Sequence, residues 1–181
     1  MYLYPDYQKS PERYKGIKDE PPFNFKESFY LHGSTGTGKT YYSWSLINIL
    51  NRADWEANKE WHKVPDMQGN RFKQTYHFVV NVPEIMLEYR SASFEDKASL
   101  SKSFSKYNIV FDDIGAEYQS EFTQEFLFAI LDERWNSKLW TSFTSNLSIG
   151  KLPYGDRVKS RIAGIVGKNI HKLDGKDRRL A

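Results

Sequence analysis

A chain of 181 residues fits one compact domain, and its hydrophobic (39%) and aromatic (16%) content excludes a disordered chain, which lacks the apolar area to offset lost conformational entropy. With no cysteine, disulfides and thiolate metal sites are ruled out, consistent with a reducing compartment. A net charge of +3 is compatible with a polyanionic partner but too small to demand one; no signal-like start or membrane-length apolar run is present, so a cytoplasmic protein without a membrane contact is expected.

Residues 1–26 are rich in Tyr, Pro and Lys without periodicity and read as an irregular arm before one domain over 27–181. "ESFYLHG" predicts a strand that ends in a glycine turn. From Lys39, "KTYYSWSLINILNRA" predicts a helix with Tyr42, Leu46, Ile49, Leu50 and Ala53 as its apolar stripe. Residues 54–75, polar with isolated Trp55 and Trp61, read as an elaborated connection. "YHFVVNV" predicts a buried strand, and "PEIMLEYRSA" a helix with Pro83 in its first turn. "SFEDKASLSKSFSK" (93–106) predicts a second, amphipathic helix. "YNIVFDDIG" is a strand ending in two acids. "SEFTQEFLFAILDERWNSK" is a helix with Phe122, Phe126, Ile130 and Leu131 on one side. "LWTSFTSN" is a strand, "GDRVKSRI" a helix with Arg157 and Arg161 four apart, and "KNIHKLD" a short closing strand.

Strands alternating with helices predict a three-layer α/β fold around a mostly parallel, five-stranded sheet. Ligands on such sheets bind at the carboxyl ends of the strands.

"GSTGTGKT", residues 33–40, satisfies the phosphate-loop pattern and has the required strand before it and helix after it. Gly33, Gly36 and Gly38 let the backbone curl, so that N–H groups from Ser34, Thr35 and Thr37 onward point inward at phosphates. The helix adds its positive end, Lys39 reaches the β and γ phosphates, and the Thr40 hydroxyl ligates Mg²⁺. The absence of the guanine-reading N-K-x-D disfavours a GTPase and that of L-S-G-G-Q disfavours transporter-type ATPases, while a small-molecule kinase stays compatible with the cradle alone. Asp112 suits the metal, through water, and Asp113 suits orientation of the attacking water. Asn146, at the end of a further strand, has an amide that can donate to the γ-phosphate or position the water. A hydrolysing enzyme with a P-loop NTPase fold is expected.

With those residues in place, the chain resembles the AAA+ ATPases of the DnaC/DnaI helicase-loader and IstB transposition-helper group. The matching stretches are "GSTGTGKT", "FVVNVPEIMLEYRSA", "NIVFDDIGAE", "LFAILDERWNSK", "FTSNLS", "GDRVKSRI" and "LDGKDRRL", in the group's order over roughly residues 28–180. The resemblance implies an AAA+ core with ATP as its nucleotide, and that Arg161, or failing it Arg157, is a finger acting on ATP bound to a neighbouring copy. It therefore implies a head-to-tail homo-oligomer, ring or spiral. It also implies contact with DNA, single-stranded as the leading expectation and duplex as the alternative, without sequence preference, through Lys97, Lys102 and Lys106, with the ordinary solvated helix face as the other reading. Arg134 stays undecided between these readings. Arg178 and Arg179 match a terminal basic pair that approaches the nucleotide or frays as a tail.

Two features depart from the group's pattern. Fewer than thirty residues precede the first strand, too few for a helicase-binding domain, and the chain stops after the last strand, so the helical lid is absent. The leading expectation is an ATPase of DNA replication that assembles on DNA as a helicase-loader-like factor, with a replicative helicase as partner. An IstB-like transposition helper, or an interaction module switched by nucleotide with negligible turnover, are the alternatives.

Overall fold

The computed structural model describes residues 12–15, 17–58, 77–175 and 177. Its elements run β1 (Tyr30–Gly33), α1 (Lys39–Asn58), β2 (His77–Asn81), α2 (Val82–Ser91), α3 (Phe94–Phe104), β3 (Asn108–Asp112), α4 (Glu121–Asn136), β4 (Thr141–Ser145), α5 (Asp156–Val166) and β5 (Ile170–Leu173). The strands form one five-stranded sheet in the order β2-β3-β4-β1-β5. All four pairings are parallel, with registers such as Asn81 opposite Asp112 and Leu31 opposite Thr144.

Alternation along the strands makes the three layers. Tyr30, Phe78, Val80, Ile109, Phe111 and Phe143 face a core shared with α2, α3, α4 and α5. Leu31, Val79 and Val110 face the other way, toward α1. Because the strands are parallel, the turns after β1, β2, β3 and β4 emerge along one edge of the sheet, where the site is built.

The helix starts follow local chemistry. The side chains of Asn81, Ser93 and Ser120 accept from the backbone N–H three residues on, capping α2, α3 and α4. Pro83 sits in the first turn of α2, as its fixed φ favours.

α1 departs from the expected stripe. Leu46 is buried, but Tyr42, Ile49 and Leu50 are half-buried and Ala53 is exposed, while Ser43, Ser45 and Ile47 are buried. The reason is a second covering on the helix. Residues 17–26 have no helix or strand, yet they lie against α1: Ser45 Oγ donates to Asp19 O at 2.7 Å, and Asn48 Nδ2 donates to Tyr14 O and Ile17 O at 3.0 and 3.1 Å. Phe23 and Phe25 pack on the Phe29–Leu31–Leu46 cluster. α1 also continues five residues into the segment expected to open a connection; that connection, with Trp61, otherwise lies outside the described residues, as do Arg178 and Arg179.

Two further expectations are corrected. Phe122 is exposed, its ring resting on Tyr89 at 5.6 Å between centroids, whereas Phe126, Ile130 and Leu131 are buried as a set. Arg134 is 1% exposed and does not face solvent or DNA. Its Nε donates to Thr141 Oγ1 at 2.9 Å, Nη2 to Trp140 O at 2.8 Å and Nη1 to Phe104 O, so it ties the end of α3 to β4. Burial works against its charge, and these acceptors compensate for the lost hydration.

Candidate functional site

The phosphate loop connects β1 to α1, and its conformation explains its glycines. Gly33 (φ 150°) passes so close to the Leu173 carbonyl of β5 that a Cβ there would collide with it. Gly36 (φ 78°) faces the Asp177 carboxylate, which a Cβ would also strike. Thr37 Oγ1 donates to Ser34 O at 2.9 Å and braces the turn from inside. Lys39 is buried, with Nζ donating to Gly33 O and Ser34 O at 2.9 and 2.8 Å, so the ammonium is held within the loop. Among the described residues α1 is the helix whose first turn holds no acid; α2, α3, α4 and α5 all have one. An anion approaching α1 meets uncompensated N–H groups and a cation.

The strand ends supply the rest. Asp112 is 2% exposed; its Oδ2 accepts from Thr40 Oγ1 at 2.9 Å and its Oδ1 from Thr144 Oγ1 at 2.6 Å. Burial pushes its carboxyl up to about 6; the Thr144 and Thr40 hydroxyls and Lys39 pull it down, while Asp113 adds to the rise. Asp113 has φ 57°, unusual for a residue with a side chain, and the Thr144 hydroxyl accepts from its N–H at 3.0 Å. Thr144 thus fixes both acids. Asn146, the residue directly after β4, is exposed in the same cleft.

These groups line one cleft of about 730 Å³ that includes Thr35, Gly36, Gly38, Lys39, Thr40, Asp112, Asp113 and Asn146. Sequence reasoning missed four of its walls. Asn81 ends β2 just as Asp112 ends β3, and the same strand-end argument finds it. Tyr41 follows the loop on α1. Arg13 and Tyr14 come from the arm, Arg13 Cζ lying 4.7 Å above the Tyr14 ring, which stacks on Trp44. Nothing periodic in residues 1–26 marks them.

Oxygen donors paired across the loop and β3 fit a hard divalent cation such as Mg²⁺, which takes one or two protein ligands and completes its shell with phosphate and water.

The arginines of α5 lie elsewhere. Arg157 is exposed with Cζ 4.1 Å above Phe128, and Arg161 is ion-paired with Asp132, with Cζ 5.6 Å from the Trp135 ring. Neither lines the cleft of its own copy. The lysines of the 93–106 stretch do not form one face. Lys97 lies 5.6 Å above the Tyr89 ring, Lys102 is exposed about 140° further around α3, and Lys106 is exposed beyond the helix end.

A parallel sheet in this order, with a phosphate loop after β1, acids after β3 and a polar residue after β4, decides the fold. The chain has the P-loop AAA+ fold of the DnaI and DnaC helicase loaders and of DnaA. DnaI is 25% identical and superimposes with a TM-score of 0.61 over 89% of this chain and 77% of its own. The DnaC helicase loader is 18% identical, with a TM-score of 0.59 over 82% of this chain and 78% of its own. DnaA from Aquifex aeolicus bound to AMPPCP is 19% identical, with a TM-score of 0.57 over 84% of this chain and 42% of its own. Among curated proteins, the chromosomal replication initiator DnaA of Leptospira biflexa is 29% identical over 151 residues, 80% of this chain. The chain spans 30% of that relative's length. No protein-family model matches. Within this AAA+ fold no helix among the described residues is long and apolar enough to cross a membrane.

Proposed function

We propose that this chain binds ATP with Mg²⁺ and hydrolyses it within a head-to-tail assembly of copies that acts on DNA in replication, as a helicase-loader-like factor. The observation that carries the reading is the hydrogen-bonded chain Thr40–Asp112–Thr144–Asp113, which links the phosphate loop, both acids and the polar strand end. The likeness to nucleotide-bound DnaA and to the DnaC helicase loader supports the replication arm of the reading.

In this reading Lys39 and the start of α1 hold the phosphates, and Thr40 and Asp112 would hold Mg²⁺, which neutralises charge on the transferred phosphoryl group when bound. Asp113 accepts a hydrogen bond from the attacking water and so turns its lone pair toward phosphorus. Asn146 donates to the γ-phosphate oxygen. Within one copy Lys39 is held in the loop and Arg13 lies over the Tyr14 ring, and Arg161 of a neighbouring copy supplies a guanidinium to the charge developing on the transferred group. Arg161 then exchanges Asp132 for phosphate. Exposed Lys102 and Lys106, with Lys97, make phosphate contacts to single-stranded DNA.

ATP turnover measured against protein concentration, with and without single-stranded DNA, tests the reading. Specific activity is expected to rise with concentration, to rise further with DNA, and to vanish with Lys39→Ala. A low specific activity independent of concentration and DNA removes the assembly and leaves a nucleotide-switched module. Co-sedimentation with a replicative helicase in ATP and Mg²⁺ tests the loader role separately.

A further inference from the structure

α2 leaves the cleft wall at Asn81, whose side chain accepts from Glu84 N at 3.0 Å, so its outer face flanks the nucleotide cleft. That face carries Glu84, Leu87 and Glu88. Leu87 is 66% exposed, the most of any large aliphatic side chain among the described residues. Glu84 and Glu88 stand four apart, a spacing that places like charges side by side on a helix and weakens it. Glu88 Oε2 is buried without a hydrogen-bond partner among the described residues, and burial, then the charge of Glu84, pushes its carboxyl up. Arg90, the nearest cation along α2, is already engaged: it donates to Tyr118 O and Thr123 Oγ1 and stacks on the Tyr118 ring.

A second face, on α4 and α5, has the opposite character. Arg157 is held flat on Phe128, Trp135 is 43% exposed, and Arg161 has a buried Nε without a hydrogen-bond partner among the described residues. One face offers acids around an apolar side chain, and the other offers guanidinium groups around aromatic ones.

We propose that the Glu84–Leu87–Glu88 face of α2 is the docking surface for the Arg157–Trp135 face of a second copy of this chain, with Arg157 taken up by the two acids. The inference rests on the head-to-tail assembly proposed above and deepens it by naming both contacting faces and dividing the two arginines. Arg157 docks, and Arg161, one turn along α5, is left for the nucleotide beside which α2 begins. Because the two faces differ, the contact is heterologous, and repetition builds a ring or an open spiral rather than a closed dimer. A guanidinium entering between Glu84 and Glu88 relieves their repulsion.

Sedimentation of the full chain with ATP, Mg²⁺ and single-stranded DNA tests this, with binding of a fluorescent ATP analogue to dilute protein as the control. Glu88→Arg and Arg157→Glu are each expected to weaken assembly by about tenfold or more while the dilute protein still binds nucleotide. The chain carrying Glu84→Arg and Glu88→Arg together with Arg157→Glu is expected to regain assembly, because reversed charges again meet across every contact. Should Glu88→Arg fail to fold by circular dichroism, Glu88→Gln with Leu87→Asp takes its place, and Arg157→Glu still reads the other face. Wild-type assembly that withstands both single changes overturns the docking surface and leaves the ATPase assembly standing. Failure of the chain reversed on both faces to assemble, while folded, also overturns it. A wild-type chain that stays monomeric throughout overturns this inference together with the assembly.

Discussion

Buried at the end of β3, Asp112 loses its hydration on folding, and that loss outweighs the Thr144 and Thr40 hydroxyls and the Lys39 ammonium, so its carboxyl titrates at about 6. The unfolded chain gives up this proton in the ordinary carboxylate range, two units lower. Ionisation of Asp112 therefore weakens the fold as pH rises through that window, and the full cost applies above about 6. Asp112→Asn removes the charge but leaves groups that the two hydroxyls can still bond. It is expected to raise the stability of the nucleotide-free protein by about 2 kcal/mol at neutral pH. The gain should disappear in acid, below the unfolded-state pKa, and Mg²⁺-dependent nucleotide binding should be lost. Urea midpoints for both proteins across pH check this; an Asn variant no more stable than wild type at neutral pH contradicts it. The place of Asp112 was legible in the sequence because an apolar run that ends in acids marks the end of a strand. Arg134 was not, because a helix-surface arginine and a buried one look alike until Phe104, Trp140 and Thr141 converge on it.

The strands and helices themselves were readable from period and caps, since Asn81, Ser93 and Ser120 act within three residues of themselves. α1 was misread in its buried face because its covering comes from residues 12–26, and no local pattern reports a partner that distant in sequence. The same holds for a contact between two loops. Glu117 is 6% exposed; its carboxylate accepts from Gly115 N at 2.9 Å, from Gln119 Nε2 at 3.0 Å and from the buried Tyr154 hydroxyl. Gly115 lies two residues beyond Asp113, and Tyr154 leads into α5 with its two arginines. The turn behind the acids is thus joined to the start of α5, the helix proposed to face a neighbouring copy. Tyr154→Phe keeps the ring and removes one donor to a buried carboxylate, a loss of about 1–3 kcal/mol. A drop in Tm of about 2–4 °C per kcal/mol follows for a domain of this size. Turnover in the assembled protein is expected to fall several-fold with ATP affinity unchanged. Calorimetry and single-turnover kinetics check the two parts, and an unchanged rate with a lowered Tm reduces the contact to packing.

At the scale of the molecule, the proposed assembly divides the chemistry between copies: one cleft brings Lys39, Thr40, Asp112 and Asp113, and the α5 face of a neighbour brings Arg161. Sequence could mark Arg161 only by resemblance, because within one copy its partner is Asp132 and the role proposed for it depends on a surface outside the chain. Two crippled variants separate action within a copy from action between copies. Arg161→Ala keeps the cleft and loses the finger; Asp113→Ala keeps the finger and loses the group that orients water. Each alone is expected to hydrolyse ATP at background rate. In an equal mixture that assembles at random, half the clefts are intact and half of their neighbours carry the finger, so turnover should return to about a quarter of wild type. Fluorescence exchange between labelled copies verifies that mixing is complete. A mixture that stays at background despite complete exchange places Arg161 in its own copy's chemistry or outside the reaction. Recovery near a quarter requires a cleft built from two chains, since no single chain in the tube contains both working parts.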